Sequence, residues 1–172
     1  PTTVIDSTFS TNIAETDETE WTAGARVVGD LRMVTTTANG ASIATHRIYE
    51  ANTTAGADPT LVANQGTGKG WDIIGATNAW KMIDDILQSK TVAASGNIVA
   101  NFLPAAVTNS AALFGVYAES VNFTMTDPVD GVVYNQTHSM ISDSGINNWY
   151  LYFSEPIVRN STIAIFDLPA FP

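Results

Sequence analysis

The chain contains no cysteine, which removes disulfide frameworks, thiolate metal sites, cysteine nucleophiles and dithiol redox chemistry together. Basic residues are scarce as well: 7 Lys and Arg stand against 17 Asp and Glu, for a formal net charge of −10. Arg26, Arg32, Arg47, Lys69, Lys81, Lys90 and Arg159 are scattered singly. Nucleic acids and anionic membrane surfaces are recognised by clustered cations, so neither is an expected partner. Long apolar runs are missing too. No stretch approaches the roughly 20 residues of a membrane-spanning helix, so no membrane insertion is expected. The opening PTTVIDSTFST has neither the charged start nor the apolar stretch of a secretory signal, which predicts synthesis in a cytoplasm.

What is present is a chain of 172 residues, 45% hydrophobic, long enough to bury a core without covalent staples. Its first 25 residues differ from the rest. Glu15, Asp17, Glu18 and Glu20 crowd a Thr-rich stretch, which predicts an acidic arm or loop over residues 1–25 ahead of a β domain over 26–172. From Arg26 the apolar period is mainly two. In RVVGDLRMV, Val27, Leu31 and Met33 share one face and Arg26, Asp30 and Arg32 the other, as in a half-buried strand. Asn39-Gly40 predicts a hairpin turn, with a return strand over residues 43–51. Trp80, Ile83, Ile86 and Leu87 have helical spacing behind a Thr77 or Asn78 cap, so one short helix or helical turn is expected over residues 79–88.

The second half returns to alternation, with strands expected over residues 97–103, 112–117, 121–125, 132–141, 149–153 and 161–166. Asp127-Pro128 and Asp130-Gly131 supply turn chemistry between two of them. Short strands at such intervals indicate a mainly β protein, an antiparallel β-sandwich of jelly-roll type.

Catalytic chemistry is poorly represented. GTGKG (residues 66–70) lacks the spacing and following hydroxyl of a phosphate-binding loop, and no G-x-S-x-G elbow occurs. His46 and His138 are the only histidines, and each falls on a face with apolar neighbours, as a histidine packed at a core edge would. Asp72, Asp84, Asp85, Glu119 and Glu155 could in principle pair as acid and base, but loop carboxylates are common in any acidic chain. No enzyme activity, metal or cofactor is expected. The aromatic residues point elsewhere. Tyr150 and Tyr152 alternate with Trp149, Leu151 and Phe153, and Trp71 and Trp80 flank Asp72 and Asn78. Rings beside hydrogen-bonding groups suit either a protein contact or stacking on sugars, so Trp71, Asp72, Asn78, Trp80, Asp84, Tyr150 and Tyr152 are the candidate contact residues.

Four strings, WDIIGATNAWKMIDD (71–85), SVNFTMTDPVDGVVY (120–134), NWYLYFSEPI (148–157) and IFDLP (165–169), resemble a group of tailed-bacteriophage tail or baseplate-associated virion proteins with a carbohydrate-binding-like β-sandwich. The resemblance spans roughly residues 70–170 and departs from the group's pattern at Ile83 and Asp85. It implies a galactose-binding-like jelly roll, and a structural role in the tail tip or baseplate of a virion made in the host cytoplasm. The implied partners are other virion proteins and copies of the chain itself. The alternative it leaves open is a carbohydrate-binding module that recognises host-surface glycans during adsorption.

Overall fold

The computed structural model describes residues 8–54, 56–84, 86, 88–104, 107–142, 149, 153, 158–159, 162–166 and 168–169. The chain is mainly β, every strand pair among the described residues is antiparallel, and it divides into two compact units, residues 1–103 and 104–172.

The first unit is built on a three-stranded sheet of β2 (Leu31–Val34), β3 (Arg47–Ala51) and β4 (Trp71–Ala76), in that order. Along β3 the period of two holds at its end, where Tyr49 and Ala51 are buried and Ile48 and Glu50 are only half-buried. With Trp21, Val34, Ala41 and Trp71 they form one apolar cluster. A separate ladder pairs β1 (Phe9–Thr11) with β5 (Ala100–Phe102).

Several expectations shift here. The strand expected from Arg26 begins only at Leu31, because a turn that Asp30 N closes onto Val27 O (3.0 Å) precedes it and leaves Val27 exposed. Asn39-Gly40 does not make a two-residue hairpin. Gly40 N closes a turn onto Thr37 O (3.1 Å) within a longer loop, and the return strand starts at Arg47. Residues 71–76 form a strand that alternation did not reveal. Facing β3, Ile48 opposes Gly75 and Tyr49 opposes Ile73, so Ile74 is an extra residue and the faces switch at this bulge. The helical segment is a pair of turns: Trp80 N and Lys81 N reach Thr77 O, and Ile83 N and Asp84 N reach Trp80 O, at 2.9–3.1 Å. Asp85 and Leu87 lie outside the described residues.

The acidic segment is woven into the first unit. β1 lies within it, Trp21 is buried, Trp21 N donates to Met33 O (2.8 Å), and Met33 N donates to Thr19 O (3.1 Å). Its carboxylates bind the body of the unit at the positions described below.

The second unit carries β6 (Ser110–Phe114) paired with β11 (Thr162–Phe166), β7 (Ser120–Asp127) paired with β8 (Gly131–Ser139), and β9 (Ile141–Ser142) paired with β10 (Val158–Arg159). The β7–β8 hairpin follows its sequence closely. Val121, Phe123 and Met125 are half-buried, while Ser120, Asn122, Thr124 and Thr126 are exposed. Its turn is fixed by Asp127, whose Oδ1 accepts from Val129 N (2.7 Å) and Asp130 N (2.9 Å), and Gly131 leaves it at φ +76°. Within each unit the ladders stay small, and among the described residues they do not close into a sandwich. Trp149 and Phe153 are helical, not strand, residues, and their rings stack at 5.8 Å, as an i, i+4 pair on a helix can. Of the strand expected over 149–153, the other three residues lie outside the described set.

Candidate functional site

The most developed polar cluster surrounds His46. The loop after β2 delivers His46 into the sheet mouth: its N–H donates to Val34 O (2.8 Å), and its own carbonyl accepts from Thr77 N (2.9 Å) at the end of β4. That double anchor holds His46 at φ +52°, a conformation costly for a side chain with a Cβ. The imidazole is buried and stacks on Trp80, with centroids 4.2 Å apart and planes 18° from parallel. Phe9 meets the same indole edge-on at 4.9 Å. Glu15 Oε2 lies 2.8 Å from His46 Nδ1 and Oε1 lies 3.0 Å from it, so the carboxylate accepts a proton held on Nδ1. Thr77 Oγ1 also donates to Glu15 Oε1. Next to it, the two carboxylate oxygens of Asp17 each lie 3.1 Å from Asn78 N. Glu20 completes the series, accepting from Thr35 N (2.9 Å), Thr35 Oγ1 (3.0 Å) and Thr36 N (3.3 Å). Three acids of the N-terminal segment therefore act as acceptors for backbone and side-chain donors that the sheet leaves over.

Of the candidate residues named from sequence, Asn78 and Trp80 belong to this cluster, and the other described ones bond elsewhere. Trp71 is fully buried and its Nε1 donates to Ala57 O (2.7 Å), so neither face of the ring can meet a sugar. Asp72 Oδ2 accepts from Asn52 Nδ2 (2.9 Å). Asn78 clamps Val92 through both ends of its amide, Oδ1 accepting from Val92 N (2.9 Å) and Nδ2 donating to Val92 O (2.8 Å). Trp80 is half-buried between Phe9 and His46. Asp84 Oδ1 accepts from Ile86 N (3.1 Å), while its Oδ2 is buried with no hydrogen-bond partner. Tyr150 and Tyr152 lie outside the described residues, as does Glu155. Among the described candidates, Trp71, Asp72, Asn78 and Asp84 each spend a polar group within the first unit.

The glycine-rich loop behaves likewise. Gly66 N donates to Trp71 O (2.8 Å), Lys69 N to Gly66 O (3.0 Å) and Gly70 N to Asn52 Oδ1 (2.8 Å), so three of its amides are engaged within the first unit. Asp58, which no pattern singled out, anchors two loops. It accepts from Ser42 N (2.8 Å), Ser42 Oγ (2.7 Å), Thr60 N (2.9 Å) and Thr60 Oγ1 (2.7 Å). Burial raises its carboxyl, but those four bonds outweigh burial and hold it below the ordinary value. Asp58 lies in the polar loop run D-P-T (58–60); the Asx-type bond from Thr60 N is the local part of the motif and Ser42 the part invisible in sequence.

No protein-family model, curated protein or solved structure matches the chain.

Proposed function

We propose that the chain is a structural subunit of a multi-copy assembly, packing against copies of itself and against neighbouring proteins. The observation that carries this reading is the exposure of large apolar side chains on the second unit: Phe114 is 72% exposed, Tyr117 80%, Trp149 78% and Phe153 77%. Aromatic side chains are the residues that interfaces concentrate, and water is an expensive place to leave them. The polar groups of the first unit support the same reading, because its most elaborate cluster is engaged in holding loops together. The resemblance of its sequence strings to tailed-phage proteins supports a virion tail, at its tip or baseplate, as that assembly, with the chain made in the host cytoplasm and serving a structural rather than a catalytic role.

Sedimentation velocity of the purified full chain over a wide concentration range tests the subunit role, and mass spectrometry of purified phage particles tests the setting. Self-association and presence in the particle are expected. A monodisperse monomer at every concentration overturns the multi-copy reading.

A further inference from the structure

We infer that β7 is the strand through which a second copy of this chain pairs, edge to edge and antiparallel, about a two-fold axis at Asn122. The inference rests on the subunit reading above and names the partner and the contact.

Among the described residues β7 and β8 are the two longest strands, and they form a sheet of their own. Among the described residues β7 has β8 on one side and no strand on the other, so that edge offers its N–H and C=O groups to any complementary strand. A two-stranded hairpin is also marginal by itself in water, and further strands stabilise it. Edges are normally protected by charge, proline or a bulge. Residues 120–126 contain no charged residue and no proline, and the irregularity between Met125 and Thr126 lies at the turn end, leaving Ser120 to Thr124 regular.

The occupant follows from charge and from side-chain pairing. Two chains of net charge −10 repel, so they can meet closely only where carboxylates are missing, and β7 between Glu119 and Asp127 is such a stretch. An antiparallel strand paired with its own copy uses one patch twice, as a two-fold interface requires. Two registers keep like faces together near the strand centre. A two-fold at Phe123 would set Glu119 opposite Asp127 of the second copy at both ends. A two-fold at Asn122 avoids this and keeps the irregular Met125/Thr126 step outside the central pairs. It sets Asn122 opposite Asn122, Ser120 opposite Thr124, and Val121 opposite Phe123. The exposed face already shows this chemistry between β7 and β8: Asn122 Nδ2 donates to Asn135 Oδ1 (2.8 Å) and to Thr137 Oγ1 (2.9 Å), and Thr124 Oγ1 donates to Asn122 Oδ1 (2.9 Å). Self-pairing continues that amide and hydroxyl ladder into a four-stranded sheet, with Val121 and Phe123 packing on the other face.

The test uses two single substitutions in the full chain, Asn122→Lys and Asn122→Glu, studied by sedimentation velocity alone and mixed. Each places a charge opposite its own copy, and each is expected to weaken self-association about tenfold or more, whereas the 1:1 mixture restores it. Circular dichroism and thermal unfolding establish that both variants remain folded. In parallel, Asn122→Cys in this cysteine-free chain is expected to give an oxidised covalent dimer, and Asn135→Cys on β8 is not. If the unaltered chain associates and both charged variants associate equally well, the assignment of β7 is overturned, its face is left for another occupant such as a glycan, and the subunit reading stands. If the unaltered chain is monomeric throughout, both fall.

Discussion

Glu15 stands 2.8 Å from His46 Nδ1 across 31 residues of sequence, and this contact fastens the N-terminal segment to the mouth of the central sheet. The same carboxylate takes the Thr77 hydroxyl, so its removal orphans two donors in a poorly solvated place. Glu15→Ala is therefore expected to destabilise the first unit by about 2 kcal/mol, and Glu15→Gln, which still offers one carbonyl acceptor, by less. Urea unfolding followed by tryptophan fluorescence measures both; equal midpoints for Glu15→Ala and the unaltered chain would refute the anchoring role.

Asp58 predicts a definite acid response. Its carboxyl is held below the ordinary value by the Ser42 and Thr60 bonds, despite burial acting the other way. A depressed folded-state value means that the contribution is present above the unfolded value of about 3.9 and is lost as pH falls through the folded one. Asp58→Asn should thus be less stable than the unaltered chain at neutral pH, and the gap should shrink as the pH drops below about 4. Denaturant midpoints taken between neutral and strongly acidic pH show whether it does.

Tyr49 predicts the opposite limb. Burial raises its phenol above the ordinary value, and the Thr45 hydrogen bond and the Arg47 charge offset this only in part. The neutral phenol is the form the fold favours. Its contribution is fully present below about pH 10 and is lost as pH rises through the folded-state value. Tyr49→Phe gives up the bond to Thr45 Oγ1 (3.0 Å), at a cost of about 1 kcal/mol near neutrality, and becomes less sensitive to alkali. Parallel stability profiles of the two proteins above neutrality would refute this.

The strands that alternate were legible, and the contacts that join distant loops were not. β7 could be read because its period of two and the turn residues that follow it agree, and the structure keeps both, whereas β8 pairs with it without a regular alternation of burial. β4 was hidden because an extra residue at Ile74 switches its faces, which erases alternation even though the strand is paired along its length. Trp149 and Phe153 fit a strand face at spacing four as well as they fit one helical face, and the sequence alone offers no way to choose between the two. For the candidate site the limit is physical as well. A carboxylate near the N-terminus looks like solvated charge unless its acceptor role is known, and the donors for Glu15 come from His46 and Thr77, far along the chain. The same holds for Asp58 and Ser42, 16 residues apart. Trp71 and Asn78 were noticed for their chemistry, but that chemistry is turned inward, to Ala57 and Val92.

Gly131 isolates the backbone contribution of the hairpin turn. It sits at φ +76°, and a Cβ placed there meets nothing within 4 Å, so any penalty for Gly131→Ala comes from the left-handed conformation and not from a clash. The expected loss is about 1 kcal/mol. Hydrogen exchange of the β7 and β8 amides measures it where it matters. Protection of these amides should fall by several-fold in the variant, while the β2–β3–β4 sheet remains as protected as before.

Trp71 and Trp80 differ in a way that separates core from partial cover. Trp71 is fully buried, contributes to the apolar cluster and spends its indole N–H on Ala57 O at 2.7 Å, whereas Trp80 keeps part of its ring in water while Phe9 and His46 hold the rest. Trp71→Phe removes volume from a closed space and leaves the Ala57 carbonyl without its donor, which together should cost roughly 2–4 kcal/mol. Trp80→Phe should cost clearly less, since an aromatic ring can still stack on His46. Acrylamide quenching adds a second readout: Trp21 and Trp149 are common to both variants, so the chain lacking Trp80, which keeps the covered Trp71, should be quenched less efficiently than the chain lacking Trp71, which keeps the partly exposed Trp80. Equal quenching of the two variants would mean that Trp71 is reachable from solvent, and a sugar-stacking role for that ring would again be open.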